Sequence, residues 1–170
     1  SLTGHIVLST LHTNSAPESV VRLLDLGMDP FNFADALLGV LAQRLVRKLC
    51  PACKAKYEPA ATEIDELERE YAGDTGADPA PLFKGWRAEK RPVLYRAKGC
   101  AECDKTGYKG RMGLYELMVA DARVKRLVQT RAPVTEILAA AVAGGMRTLK
   151  QDGIAKVLEG LTDLQQVRGV

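Results

Sequence analysis

Apolar positions along the chain fall into several rhythms, and each predicts an element. His5–Leu11 (HIVLSTL) is an unbroken β-branched and apolar run, which predicts a short central strand. The period then lengthens. Val20, Leu23 and Leu24 line one helical face, with Asn14 or Ser15 available as N-cap, Pro17 in the first turn and Gly27 as the stop. Pro30 opens a second helix whose stripe is Phe33, Leu37, Val40 and Leu41. RLVRKL at 44–49 alternates basic with apolar residues, as a half-buried strand does.

The pattern breaks at Cys50. Residues 61–78 are acidic (Glu63, Asp65, Glu66, Glu68, Glu70, Asp74, Asp78), and a helix capped by Thr62 would turn Ile64, Leu67 and Tyr71 inward. Glycine and proline punctuate 73–85, which predicts a loop. Residues 84–98 are basic (Lys84, Arg87, Lys90, Arg91, Arg96, Lys98), with VLYR a candidate short strand. GRMGLYELMVA at 110–120 predicts a strand able to pair with RLVRKL, so that the cysteine segment hangs from the tip of a hairpin. The rest reads as helical. Asp121 caps a helix with Val124, Leu127 and Val128 inside. Pro133 starts another that Gly144-Gly145 ends, a third runs from about Met146 to Glu159, and Thr162 with Gln165 forms a capping box for a last short helix.

Composition narrows the function classes. The chain has 170 residues, 46% of them apolar, enough for one ordinary domain or two small ones. A net charge of +3 is too mild to imply nucleic acid or anionic membrane by itself. No apolar run approaches the roughly 18 residues of a membrane span, and no signal pattern opens the chain. A cytoplasmic, reducing setting is therefore expected, where paired cysteines are more often metal ligands than disulfides.

The four cysteines form two C-x-x-C pairs, CPAC at 50–53 and CAEC at 100–103. Each pair places two thiolates on one tight turn, and two such knuckles supply four sulfurs to a tetrahedral zinc ion. With every position filled by sulfur, no site stays open for water, so the zinc would be structural. The 46 residues between the pairs (54–99) exceed the ~15–20 of an ordinary zinc ribbon, but closure entropy rises slowly with loop length. Two disulfides, a redox-active C-x-x-C and an iron site are the alternatives.

The two histidines, His5 and His12, bracket the first predicted strand. His12 lies just past its C-terminal end, where open α/β sheets bind ligands, beside Thr10, Thr13, Asn14 and Ser15. There it would meet a phosphate or polarise water; alternatively His12 caps a loop and His5 is a strand-end residue. The chain contains no G-x-x-x-x-G-K-[ST], so most of any nucleotide site would lie outside it. The abrupt opening on a strand-like run likewise predicts a piece of a longer protein.

TGHIVLSTLHTN, LLGVLAQRLVRKLCPAC, GCAECDKTGYKGRMGLYEL and GMRTLKQDG resemble, in that order, blocks of the secretion ATPases, the motors of type II secretion and type IV pilus assembly. CPAC followed by CDKTGYKGRMGLYEL leans the resemblance toward the secretion member. It implies an α/β fold: the C-terminal portion of a RecA-like ATPase core (1–49, with a returning strand at 110–120), a tetracysteine zinc insertion (50–109) and a helical C-terminal subdomain (121–170). It implies a homo-hexamer binding ATP and Mg2+ between subunits. Hydrolysis would drive movements passed to an inner-membrane platform protein, with the motor cytoplasmic and held to the membrane through its partners. Within the family's histidine box, His12 would approach the terminal phosphates and His5 would accompany it. Arg44 would lie toward the nucleotide base, and Cys50, Cys53, Cys100 and Cys103 would hold Zn2+. With the phosphate loop expected upstream of Ser1, these 170 residues alone should not hydrolyse ATP. The competing reading is a stand-alone zinc-knuckle module binding nucleic acid or protein through the basic 84–98 stretch, Trp86 and Tyr95; a cytosolic redox protein is a minor third.

Overall fold

The computed structural model describes residues 4–88 and 92–170, without the side chain of Asp74. Lys90, Arg91 and the Asp74 side chain, read above as parts of the basic and acidic stretches, lie outside the described residues. The chain divides into two compact units, each assembled from separate stretches: one takes the chain up to Ala42 with Tyr115–Thr148, the other Gln43–Leu114 with Leu149–Val170.

In the first unit, helices α1 (Ala16–Asp25), α2 (Pro30–Ala36), α5 (Ala122–Gln129) and α6 (Val134–Ala143) pack with the start of strand β1 (Gly39–Leu49) and the end of strand β4 (Tyr108–Val119). Ser15 caps α1, its side chain accepting from Glu18 N–H, and Pro17 occupies the first turn. Asp121 caps α5 through Val124 N–H. The apolar faces read from the sequence at Val20 and Leu24, Phe33, and Val124 and Val128 meet here, buried together with Met118 and Ile137. Fully burying each such side chain is worth about 1.5–3 kcal/mol.

Strands β1 and β4 pair. Ala120 N–H donates to Leu38 O at one end and Cys50 N–H to Gly107 O at the other, so the ribbon is antiparallel and residues 50–107 form the excursion at its tip. That agrees with the hairpin predicted from the pattern.

The second unit holds this excursion with helices α7 (Leu149–Leu158) and α8 (Leu164–Arg168). Strands β2 (Ala55–Tyr57) and β3 (Leu94–Arg96) pair antiparallel, Lys56 opposite Tyr95. Between them run α3 (Ala61–Ala72) and α4 (Ala80–Arg87). Leu67, Tyr71, Phe83, Trp86, Leu94, Ile154, Val157, Leu158 and Val167 form one core. Phe83 makes edge-to-face contacts with Tyr71 and Trp86, centroids 6.1 and 6.3 Å apart. Gln151, buried on α7, donates to Tyr71 O and Thr75 Oγ1, both at 3.0 Å, tying α7 to the end of α3.

Five expectations differ from the structure. Residues 5–11 form no strand; Ile6, Val7 and Leu8 are exposed, because no described strand lies beside them to complete a ladder. The second helix stops at Ala36, and Val40 and Leu41 belong to β1. Residues 80–85, read as part of a loop, belong to α4, because Pro81 suits a first turn and Phe83 with Trp86 have a core to enter. The N-cap of α3 is Ala60, not Thr62. Asp163, not Thr162, caps α8; the buried Thr162 hydroxyl donates instead to Arg47 O at 2.8 Å. Among the described residues no helix is long and apolar enough to cross a membrane.

Candidate metal centre

β1 delivers Cys50 to the tip of the ribbon, where the chain turns at once: Cys53 N–H and Lys54 N–H both reach back to Cys50 O, at 3.2 and 2.9 Å. The second knuckle repeats the device, with Cys103 N–H and Lys105 N–H donating to Cys100 O at 3.3 and 2.8 Å. Two observations bring the knuckles together. Cys50 N–H donates to Gly107 O at 2.9 Å, and the β2–β3 pair runs back from both.

All four sulfur atoms lie within 4.8 Å of one another. Cys50–Cys100 is 3.9 Å, Cys53–Cys103 3.7 Å and Cys100–Cys103 3.7 Å. A tetrahedron with metal–sulfur bonds of ~2.3 Å has edges of about 3.8 Å, so the spacing fits a zinc-sized ion. A disulfide needs about 2.05 Å, and all four cysteines are free. Cys50 and Cys103 are buried.

The thiols differ electrostatically. Burial pushes Cys53 up to about 12, against a hydrogen bond from Gly99. Burial also raises Cys100. At Cys103 burial is outweighed: the N–H groups of Cys100 and Gly107, each 3.2 Å from its sulfur, hold it down to about 6. Backbone amides aimed at one sulfur favour its thiolate, the form that binds metal. Sequence spacing singled out the four cysteines but not these amides.

The other predicted site residues are placed differently. His5 and His12 are exposed on the irregular segment before α1, and Arg44 is half-buried on β1, donating to Gln43 O at 2.9 Å. The structure brings together the cysteines; it does not form a strand between the histidines. The groups invoked for nucleic acid are engaged elsewhere: Trp86 is buried, Arg87 pairs with Glu68 at 2.6 Å, and Tyr95 lies under the Lys54 ammonium at 4.3 Å. Glu116 escaped the sequence reading. It is 3% exposed on β4 between buried Leu114 and Met118, and accepts from Ala16 N–H at 2.7 Å. Its signal was a carboxylate falling in the apolar row of LYELM.

A mixed α/β chain whose two-stranded ribbon ends in four converging sulfurs defines a class: an α/β unit with an excursion whose four cysteines could hold a metal ion. The profile of the family described as "Type II/IV secretion system protein" matches residues 1–169, and the chain belongs to this family. It is 45% identical over 167 residues to the type II secretion system protein E of Pseudomonas aeruginosa, covering 98% of this chain and 30% of that protein. It is 43% identical over 167 residues to the type IV pilus assembly ATPase TfpB of Acinetobacter baylyi, covering 98% of this chain and 26% of that one. The corresponding figures for the type IV pilus assembly ATPase PilB of Thermus thermophilus are 40% over 167 residues, 98% and 17%. The chain thus spans less than a third of the length of these relatives.

Proposed function

We propose that the chain is the C-terminal part of a hexameric motor ATPase that powers pseudopilus or pilus assembly. The observation that carries the reading is a match along nearly the whole chain to relatives named as secretion and pilus-assembly proteins, two of them ATPases by name. In this reading residues 1–49 and 110–120 belong to a RecA-like core, 50–109 are a zinc insertion, and 121–170 are a helical subdomain. ATP and Mg2+ bind between subunits, and the motor works on the cytoplasmic side of an inner-membrane platform protein. His12 faces the terminal phosphates, with His5 in the same box and Arg44 toward the base. Cys50, Cys53, Cys100 and Cys103 hold one structural Zn2+, supported by the sulfur spacing and the four-sulfur donor set.

Phosphate release tests the proposal. The full-length protein is expected to turn over ATP, and His12→Ala to lower kcat by tenfold or more, the scale of a lost general acid–base or phosphate-orienting group. The 170-residue chain alone, without a phosphate loop, should stay at background. Robust turnover by that piece, or none by the full-length protein, would overturn the reading.

A further inference from the structure

A charged side chain in the apolar row of a strand is costly unless something repays its desolvation. Glu116 is such a residue: 3% exposed, on the face of β4 that also buries Leu114 and Met118. Its Oε1 accepts from Ala16 N–H at 2.7 Å, across 100 residues of chain. Ala16 is the first residue of α1, whose leading amides have no partner within the helix and whose N-terminus favours negative charge.

The residues around this contact are knitted into one piece. Ser15 Oγ accepts from Glu18 N–H at 3.3 Å, and Asn14 N–H donates to Glu18 Oε2 at 3.0 Å. The Thr13 and Ser19 hydroxyls are 2.5 Å apart, and Ser19 Oγ donates to Ser15 O at 3.0 Å. Residues 13–19 are therefore locked locally, and Glu116 ties that lock to β4. His12 is the next residue out, exposed, with the irregular chain beyond it.

We infer that Glu116 is a positioning residue for the histidine segment: its carboxylate anchors the start of α1 to β4 and so sets where His12 leaves the helix. The inference rests on the proposed role of His12. A buried acceptor costs the fold something that leucine would not. What it supplies is a directional tether to the Ala16 amide, where apolar packing would let the segment slide. Displacing a phosphate-facing group by an ångström is enough to cost large factors in rate.

The test is a double-mutant cycle on ATP hydrolysis by the full-length protein. Glu116→Leu should lower kcat about tenfold with KM little changed, and Glu116→Gln, which keeps a carbonyl acceptor in the same place, should restore most of it. In the His12→Ala background, Glu116→Leu should cause almost no further loss. If it removes the same factor there as in the wild type, or lowers only the melting temperature, Glu116 is merely structural and the inference falls while the role of His12 stands. If His12→Ala itself leaves kcat unchanged, the role of His12 fails and the inference with it. Should Glu116→Leu not fold, Glu116→Asp keeps the charge, withdraws the acceptor by one methylene, and enters the same cycle with the same expected non-additivity.

Discussion

Gly160 shows how tightly a single residue is bound into the second unit. Its φ is +69°, and a Cβ there would lie 2.4 Å from Tyr95 Cδ2. The Gly160 carbonyl accepts from Lys54 Nζ at 2.7 Å while that ammonium sits over the Tyr95 ring. Gly160→Ala combines left-handed strain with a steric clash, so urea unfolding should show a loss of about 1–3 kcal/mol. Tyr108 gives a pH prediction. Partial burial and its 2.6 Å hydrogen bond to Asp163 raise the phenol to about 12, from an ordinary value of 10.0. The folded state holds the proton that the unfolded chain has already released, so this contribution is intact below pH ~10 and fades as pH climbs toward ~12. Unfolding free energy followed from pH 8 to 12 should fall less steeply in Tyr108→Phe. At this scale the sequence was uneven. The cysteines could be read because four thiols in two identical spacings have few uses. Glu116 showed only as a carboxylate in an apolar row, because the backbone amide it binds is one that only the fold brings near.

At the scale of elements, helices with a side-chain cap were the most readable. Asp121 sits where the pattern put it and Ser15 is one of the two caps the pattern offered, since each satisfies amides that the helix itself leaves open. α4 was hidden because glycine and proline mark a break only when no core competes for the residues between them; Phe83 and Trp86 had one. Val40 and Leu41 continue a helical stripe as plausibly as they begin a strand, and pairing with β4 decides it. The sulfur cluster gives a prediction of its own. Its four cysteines all lie in the second unit, at the root of β2 and β3. As purified, the chain is expected to carry one zinc by elemental analysis. Stripping the metal with a chelator, or Cys103→Ser, should speed amide exchange most at 50–57 and 94–107, while α5 and α6 keep their protection. Uniform exchange in both states would contradict a structural role for the ion.

For the molecule as a whole, the apolar surface left outside either core is informative. Ile6, Val7 and Leu8 are exposed, and so are Leu41, Tyr115, Leu117 and Val119 on the outward row of the ribbon. Scattered exposed leucines are ordinary, but a row of them is not. The 170-residue chain should self-associate, with light scattering showing a mass that rises with concentration; a strictly monomeric chain at high concentration would refute this. The first predicted strand failed at this scale too: the residues had the propensity, but a strand exists only as one of a pair.

The interleaved make-up of the two units has a practical consequence. The backbone passes from one to the other at Ala42–Gln43, at Leu114–Tyr115 and at Thr148–Leu149, so neither can be excised as one continuous stretch. Nor would one cut release a unit. A nick after Thr148 leaves Leu67, Tyr71, Phe83, Trp86 and Leu94 on the longer polypeptide and Ile154, Val157, Leu158 and Val167 on the shorter. The two pieces, 1–148 and 149–170, produced separately should therefore recognise each other and reassemble, as complementing fragments rather than as independent domains.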